Sequence, residues 1–407
     1  MDNSRLHVKR GFALALAACA VSVGCGSDAA STGVPGAAGN PTSGGQVGAA
    51  GGTAGAAGSG VAGQASGGTS GADGGAAGSS TGGASAGNLG NAGSTSGGAS
   101  GAGCVTMGTQ AVPGTMGDGK AAIPEPYTAA PETLAHLNNA PKGKVNGVEV
   151  GGTFTPLIYA GKTQYPGVSQ MLKYEYWIYV PAQYKAGCAA ALMVFQDGIH
   201  YVGIDDAKFN APTVFDNLIA SGDMPVTIAL FINPGEPGTG HYDGQEYQNR
   251  HVQYDKNNDA YAHFLIDEFL TENVLGKYTI VTDPDGWGIG GHSSGGIAAF
   301  MTGWYRPEKF HKLLTHDASF SNTGDNMGVS LLGSVDASAV KPLRVYLMSG
   351  PNDLGGWYNA NTNAATKLEA KGYHYQFKTE NSQHYPPKAG VADFANALRW
   401  MWRGYKL

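Results

Sequence analysis

A serine hydroxyl attacks a carbonyl only when an imidazole takes its proton and a carboxylate orients that imidazole, so those three side chains are sought first. The pattern Gly-x-Ser-x-Gly occurs at residues 78–82, 83–87 and 291–295. The first two matches lie in a run of Gly, Ala and Ser whose pattern argues for neither strand nor helix. Only Gly291-His292-Ser293-Ser294-Gly295 follows a strand-like segment, Trp287-Gly288-Ile289, and precedes helix-compatible residues, Ile297 to Phe300. A sharp strand-to-helix turn there would lift the Ser293 hydroxyl clear of the sheet, with glycines where the backbone is crowded.

The acid and the base should follow on loops at strand ends. One strand runs into Ser349-Gly350-Pro351-Asn352-Asp353 and another into Glu380-Asn381-Ser382-Gln383-His384. Ser293 is therefore read as nucleophile, Asp353 as acid and His384 as base. Asp325 and Asp336 are the other candidate acids, while His374 and His316 fall within strands and His311 is a further competing histidine. A developing oxyanion needs backbone donors. Ser294 would supply one, and Gly198 or Ile199, after the strand ending in Phe195-Gln196-Asp197, the other. Trp357 could floor a substrate pocket or simply begin a helix.

The elements that must hold these residues alternate. Apolar, β-rich runs at 173–180, 191–196, 226–232, 310–315, 344–348 and 374–378 read as strands. Helical spacing appears at 209–220, at 261–275 with Phe264, Leu265, Phe269 and Leu270 on one face, at 364–370, and at 391–401. Strand alternating with helix predicts a mostly parallel α/β sheet with helices on both faces. About 300 residues, from Cys104 onward, suffice for one such domain. Residues 104–150 are rich in Pro and Gly and read as an extended lead-in, with the domain proper at 151–407.

The first 25 residues read as an export signal: Arg5, Lys9 and Arg10, then an apolar run too short to span a bilayer. Small residues before Cys25, or before Cys19, resemble a lipoprotein processing site, which would make the membrane a partner through a lipid anchor. Residues 26–103 are almost wholly Gly, Ala, Ser and Thr. Twenty-eight of the 65 glycines lie there, and such a segment cannot bury enough apolar surface to fold. It is expected to be a disordered tether with a reach on the order of 50 Å. In an oxidising envelope, Cys104 and Cys188 could pair, contributing ~3 kcal/mol. The net charge of −6 offers no basic patch for nucleic acid. Asp255-Lys256-Asn257-Asn258-Asp259 begins like a calcium loop, but Ala260 and Ile266 stand where glycine and glutamate are required, so it reads as a helix cap. No histidine spacing suggests zinc, and neither metal nor cofactor is expected.

Gly291-His292-Ser293-Ser294-Gly295-Gly296, Val194-Phe195-Gln196-Asp197-Gly198, Asn233-Pro234-Gly235, Asn249-Arg250 with Tyr254-Asp255, and Ser349 to Leu354 together resemble the Putative esterase family of enterochelin esterases and esterase D. The resemblance spans about 150 to 405. It implies an α/β-hydrolase fold, a Ser/Asp/His carboxylic ester hydrolase, and Arg250 near the substrate mouth. His292 and Trp357 are read as further substrate-binding candidates. The family's Arg-Ser-x-Glu-Tyr run stands here as Arg250-His251-Val252-Gln253-Tyr254, losing a carboxylate. The expected activity is hydrolysis of a small-molecule or polysaccharide-linked ester outside the cytoplasm. An acyltransferase using the same residues, or a non-catalytic binding protein on this scaffold, are the alternatives.

Overall fold

The computed structural model describes Cys104 and residues 117–241, 247–321 and 327–407. The export signal, Cys19, Cys25, the tether and Asp325 lie outside them. The strands are β1 (Gly119–Ala122), β2 (Lys144–Val145), β3 (Val148–Glu149), β4 (Leu157–Ala160), β5 (Lys173–Val180), β6 (Ala191–Gln196), β7 (Thr227–Ile232), β8 (Trp287–His292), β9 (Lys312–His316), β10 (Arg344–Ser349) and β11 (His374–Thr379). Among the described residues they form one sheet in the order β1-β11-β10-β9-β8-β6-β7-β5-β2-β3, with β4 paired to β5. From β11 to β7 all neighbours run parallel, and β5 is antiparallel to β7. Every residue of β6, β7, β8 and β9 is buried, as expected for strands covered on both faces by helices.

Parallel pairing decides where chemistry can happen. Strands β6, β8, β9, β10 and β11 all end on one edge of the sheet. The loops that follow them, beginning at Asp197, Ser293, Asp317, Gly350 and Glu380, must therefore share that edge.

Two regions differ from the sequence reading. Helical residues at 260–275 begin as a single α-turn and continue from Phe264 to Leu275 with π-type pairing. Phe264 and Phe269, and Leu265 and Leu270, recur at intervals of five, which suits bonds from i to i+5 better than a 3.6-residue period. The lead-in, in turn, is an integral part of the sheet. Its β1 adds in parallel to the edge strand β11, and β2 pairs with β5. Buried Asp216, on the helix Ala211–Ser221, holds it there by accepting hydrogen bonds from the Gly143 N–H (2.8 Å) and the Tyr179 hydroxyl (2.7 Å), and by pairing with His136 (2.9 Å). Its neighbour Asn217 takes the Leu137 N–H and donates to the carbonyls of Glu132 and Ala135. A disulfide joins Cys104 to Cys188, at a Cα–Cα distance of 5.5 Å.

Candidate active site

Between β8 and the helix Ser294–Tyr305, Ser293 sits at φ 63°, ψ −127°. A non-glycine residue holds such a conformation only where its surroundings over-determine it. The neighbours supply that constraint. The Ser293 N–H donates to the His316 carbonyl of β9 (2.9 Å), and a Cβ on Gly291 would stand 2.3 Å from the Gly295 carbonyl carbon. The helix start is tied down from the side by Asp255, which is buried and accepts from the hydroxyls of Ser294 (2.8 Å) and Ser319 (3.0 Å). Asp255 is thus an anchor of the turn. The capping role falls to Asn258, whose side chain accepts from the Ala260 N–H.

Asp353 and His384, from loops 31 residues apart, meet: His384 Nδ1 lies 2.7 Å from Asp353 Oδ1. The carboxylate also accepts from the Ser349 hydroxyl (2.8 Å) and the Leu354 N–H (2.7 Å), and its side chain is 1% exposed against 17% for His384. With Asp353 fixing Nδ1, the other ring nitrogen is the one left to exchange protons at the rim. Trp357 stands edge-on to the imidazole, ring centres 5.0 Å apart. The competing groups are engaged elsewhere. His374 pairs with Asp118, His311 with Asp285, and Asp336 with Lys367. His316 is buried against the Tyr201 hydroxyl, and burial pushes its imidazole down to about 3.

Three assignments change on this geometry. His292 does not face substrate: it is 3% exposed, and its Nε2 donates to the His384 carbonyl at 3.0 Å, bracing the histidine loop from below. Burial, then the nearby charges of His384 and His200, pushes the His292 imidazole well below its ordinary value, so it stays neutral in that role. Arg250 is not at the mouth either. It is buried and grips Asp197 with two hydrogen bonds, Nε to Oδ1 at 2.8 Å and a terminal amine to Oδ2 at 2.6 Å, behind the loop that carries Gly198. The Ile199 N–H is taken by Asn233 Oδ1 at 3.1 Å, which leaves Gly198 as the loop's candidate oxyanion donor beside Ser294.

Gln253, standing where the family carries a carboxylate, is a buried clamp. Its amide oxygen accepts from the Gly235 N–H (2.9 Å) and its amide nitrogen donates to the Gly235 carbonyl (3.0 Å), a double bond pattern that a carboxylate could not make. Sequence reasoning also passed over Asp317, which the parallel sheet delivers to the same rim. The donor atoms of His292, Asp317 and His384 lie within 4.8 Å of one another. Hydrogen bonds claim one nitrogen of each imidazole, Nε2 of His292 and Nδ1 of His384. A second pairing, His200 with Asp205, lies beside His292, and the Tyr385 hydroxyl also reaches Asp205. Position along the chain gave no hint of it.

Gly295 connects the two halves of the site. A Cβ there would lie 2.4 Å from Asp197 Oδ2, an atom that Arg250 prevents from moving. Gly295→Ala should therefore displace the Gly198 loop and cut kcat by about a hundredfold, the scale of an ångström's misplacement, with KM little changed. Steady-state kinetics on a short ester checks it, and a kcat within twofold would mean that the loop gives freely.

The model of the family described as "Putative esterase" matches residues 171–399. Among solved structures, a ferulic acid esterase from the anaerobic fungus Anaeromyces mucronatus aligns with TM-score 0.51 and 14% identity, over 67% of this chain and 96% of that one. An enterobactin esterase from Shigella flexneri aligns with TM-score 0.49 and 18% identity, over 61% of this chain and only 59% of the other. No curated protein sequence matches. A family model covering more than half of the sequence, on an α/β sheet of this order, settles membership: the chain belongs to the Putative esterase family.

Proposed function

We propose that this chain is a serine carboxylic ester hydrolase that works through an acyl-enzyme on Ser293. The observation that carries the reading is the 2.7 Å bond between His384 and Asp353, at the rim where the strained Ser293 turn emerges. In the first half-reaction His384 Nε2 takes the Ser293 proton as Oγ attacks the ester carbonyl. The N–H groups of Ser294 and Gly198 receive the oxyanion, and the imidazolium, stabilised by Asp353, returns the proton to the departing alcohol. Water then repeats the sequence, freeing the acid and Ser293. Asp197 and Arg250 hold the oxyanion loop, and His292 and Asp255 hold the base and the elbow.

Trp357 and Tyr385, flanking His384 and His292, favour an ester with a planar group that can lie against them. The fungal neighbour is a ferulic acid esterase, and small phenolic esters are the first class to try here. The N-terminal sequence supports action outside the cytoplasm on a lipid anchor at Cys25 or Cys19.

A fluorophosphonate probe tests the reading directly. It should add one phosphonyl mass to the peptide containing Ser293, with hydrolysis of p-nitrophenyl acetate and methyl ferulate falling in step. Applied to cell fractions, the same probe should mark the envelope. Label on any other residue, or hydrolysis surviving full labelling of Ser293, would discard the mechanism.

A further inference from the structure

Asp317 is the carboxyl at this rim that the triad leaves without a task. It follows β9 at φ 46°, with its N–H donated to the Met348 carbonyl (2.8 Å) of the strand that feeds the acid loop. Its side chain is 2% exposed. One oxygen lies 3.6 Å from His292 Nε2, and the other, Oδ1, is buried with no hydrogen-bond partner. Asp353 beside it is served by three donors, His384, Ser349 and Leu354.

Two neighbouring carboxyls closed off from water cannot both be ionised, and the proton rests on the one that fewer donors stabilise. Donor supply assigns the charge to Asp353 and the proton to Asp317. An unpartnered carboxylate oxygen in a buried site would be costly, whereas a carboxylic acid has an O–H to give. We propose that Asp317 is a positioning residue that remains protonated and donates a hydrogen bond to Asp353, keeping that carboxylate charged and aimed at His384 Nδ1. This role rests on the serine-triad reading above.

The surroundings agree. Burial, then the charges of Asp353 and Glu380, pushes the Asp317 carboxyl well above its ordinary value. Glu380 is itself raised by burial, and among the described residues His292, His384 and the hydroxyls of Tyr201 and Tyr346 also stand near Asp317. Because the acid's pKa is raised, the hydrogen bond is present below that raised value and is lost as pH rises through it. Ionised Asp317 would then repel Asp353 and loosen its hold on the histidine.

The experiment uses the full chain and two near-isosteric variants, Asp317→Asn, whose amide still donates, and Asp317→Leu, which cannot. Asp317→Asn should keep kcat within about threefold, and Asp317→Leu should lose about tenfold or more, the scale of one hydrogen bond to a charged group. Across an alkaline series the wild type should lose kcat while Asp317→Asn holds, since the amide does not titrate. A merely structural role would change the thermal midpoint of both variants without moving the pH profile. Coincident alkaline limbs for wild type and Asp317→Asn, or equal kcat for the two variants, would overturn the role of Asp317. Activity surviving in Ser293→Ala would instead bring down the triad reading itself, so the two failures are distinguishable.

Discussion

Ser293→Ala should lower kcat on a short-chain ester by about a millionfold, and His384→Ala by nearly as much, while the double variant should be no worse than either alone. The expectation follows from how the pieces depend on one another. A serine hydroxyl without a base is barely nucleophilic, and a base without a nucleophile has no proton to take, so removing either stops the same step. The residual rate would come from the Ser294 and Gly198 amides and from substrate binding, which neither substitution touches. Alanine at 293 must still adopt φ near 63°, as serine does, so the elbow's backbone strain is unchanged and the thermal midpoint should hardly move. Single-turnover kinetics with p-nitrophenyl acetate separates the cases: both variants should lose the acylation burst. A loss of only a hundredfold in Ser293→Ala would point to a different nucleophile or to an activated water.

How much of this was open to sequence reasoning depended on whether the signal was local. The strands β5 and β6 have the bounds that their apolar runs suggested, because a buried parallel strand shows itself in consecutive residues. Asp353 and His384 were paired by the same logic, and they do meet: each lies a few residues past a strand, and parallel order alone brings those loops to one edge. What escaped were roles set by partners far along the chain. Arg250 was expected near the substrate because the family resemblance placed it at the mouth of the site. Its partner Asp197 is 53 positions away, and only the closed fold shows the pair to be internal. His292 and Asp317 were misjudged or missed for the same reason, since their burial depends on loops 30 to 90 residues distant. The π-type helix had a visible mark in its five-residue spacing, which a search for 3.6-residue periods does not register.

Arg250→Leu should destabilise the domain by about 3–5 kcal/mol, lowering its thermal midpoint by roughly 10 °C. Asp197 is fully buried, and both of its oxygens are bonded to the guanidinium. Removing the cation leaves a carboxylate in a site closed to water, and the cost is that of the orphaned charge rather than of the lost bond alone. Asp197 also holds φ 52° at the start of the loop, so its movement carries the Gly198 N–H with it. Activity should consequently fall beyond what partial unfolding explains, with kcat per folded molecule down by about ten- to a hundredfold. Pairing the change with Asp197→Asn removes the orphaned charge while keeping a residue that tolerates positive φ. The double variant should therefore regain much of the stability. It should regain less of the activity, because asparagine without Arg250 no longer fixes the loop against the His292 carbonyl, which the arginine also reaches at 3.4 Å. Thermal midpoints and kcat measured on the same preparations decide the matter. A double variant as unstable as Arg250→Leu would show that the arginine's packing over Tyr254, and not its charge, is what the fold depends on.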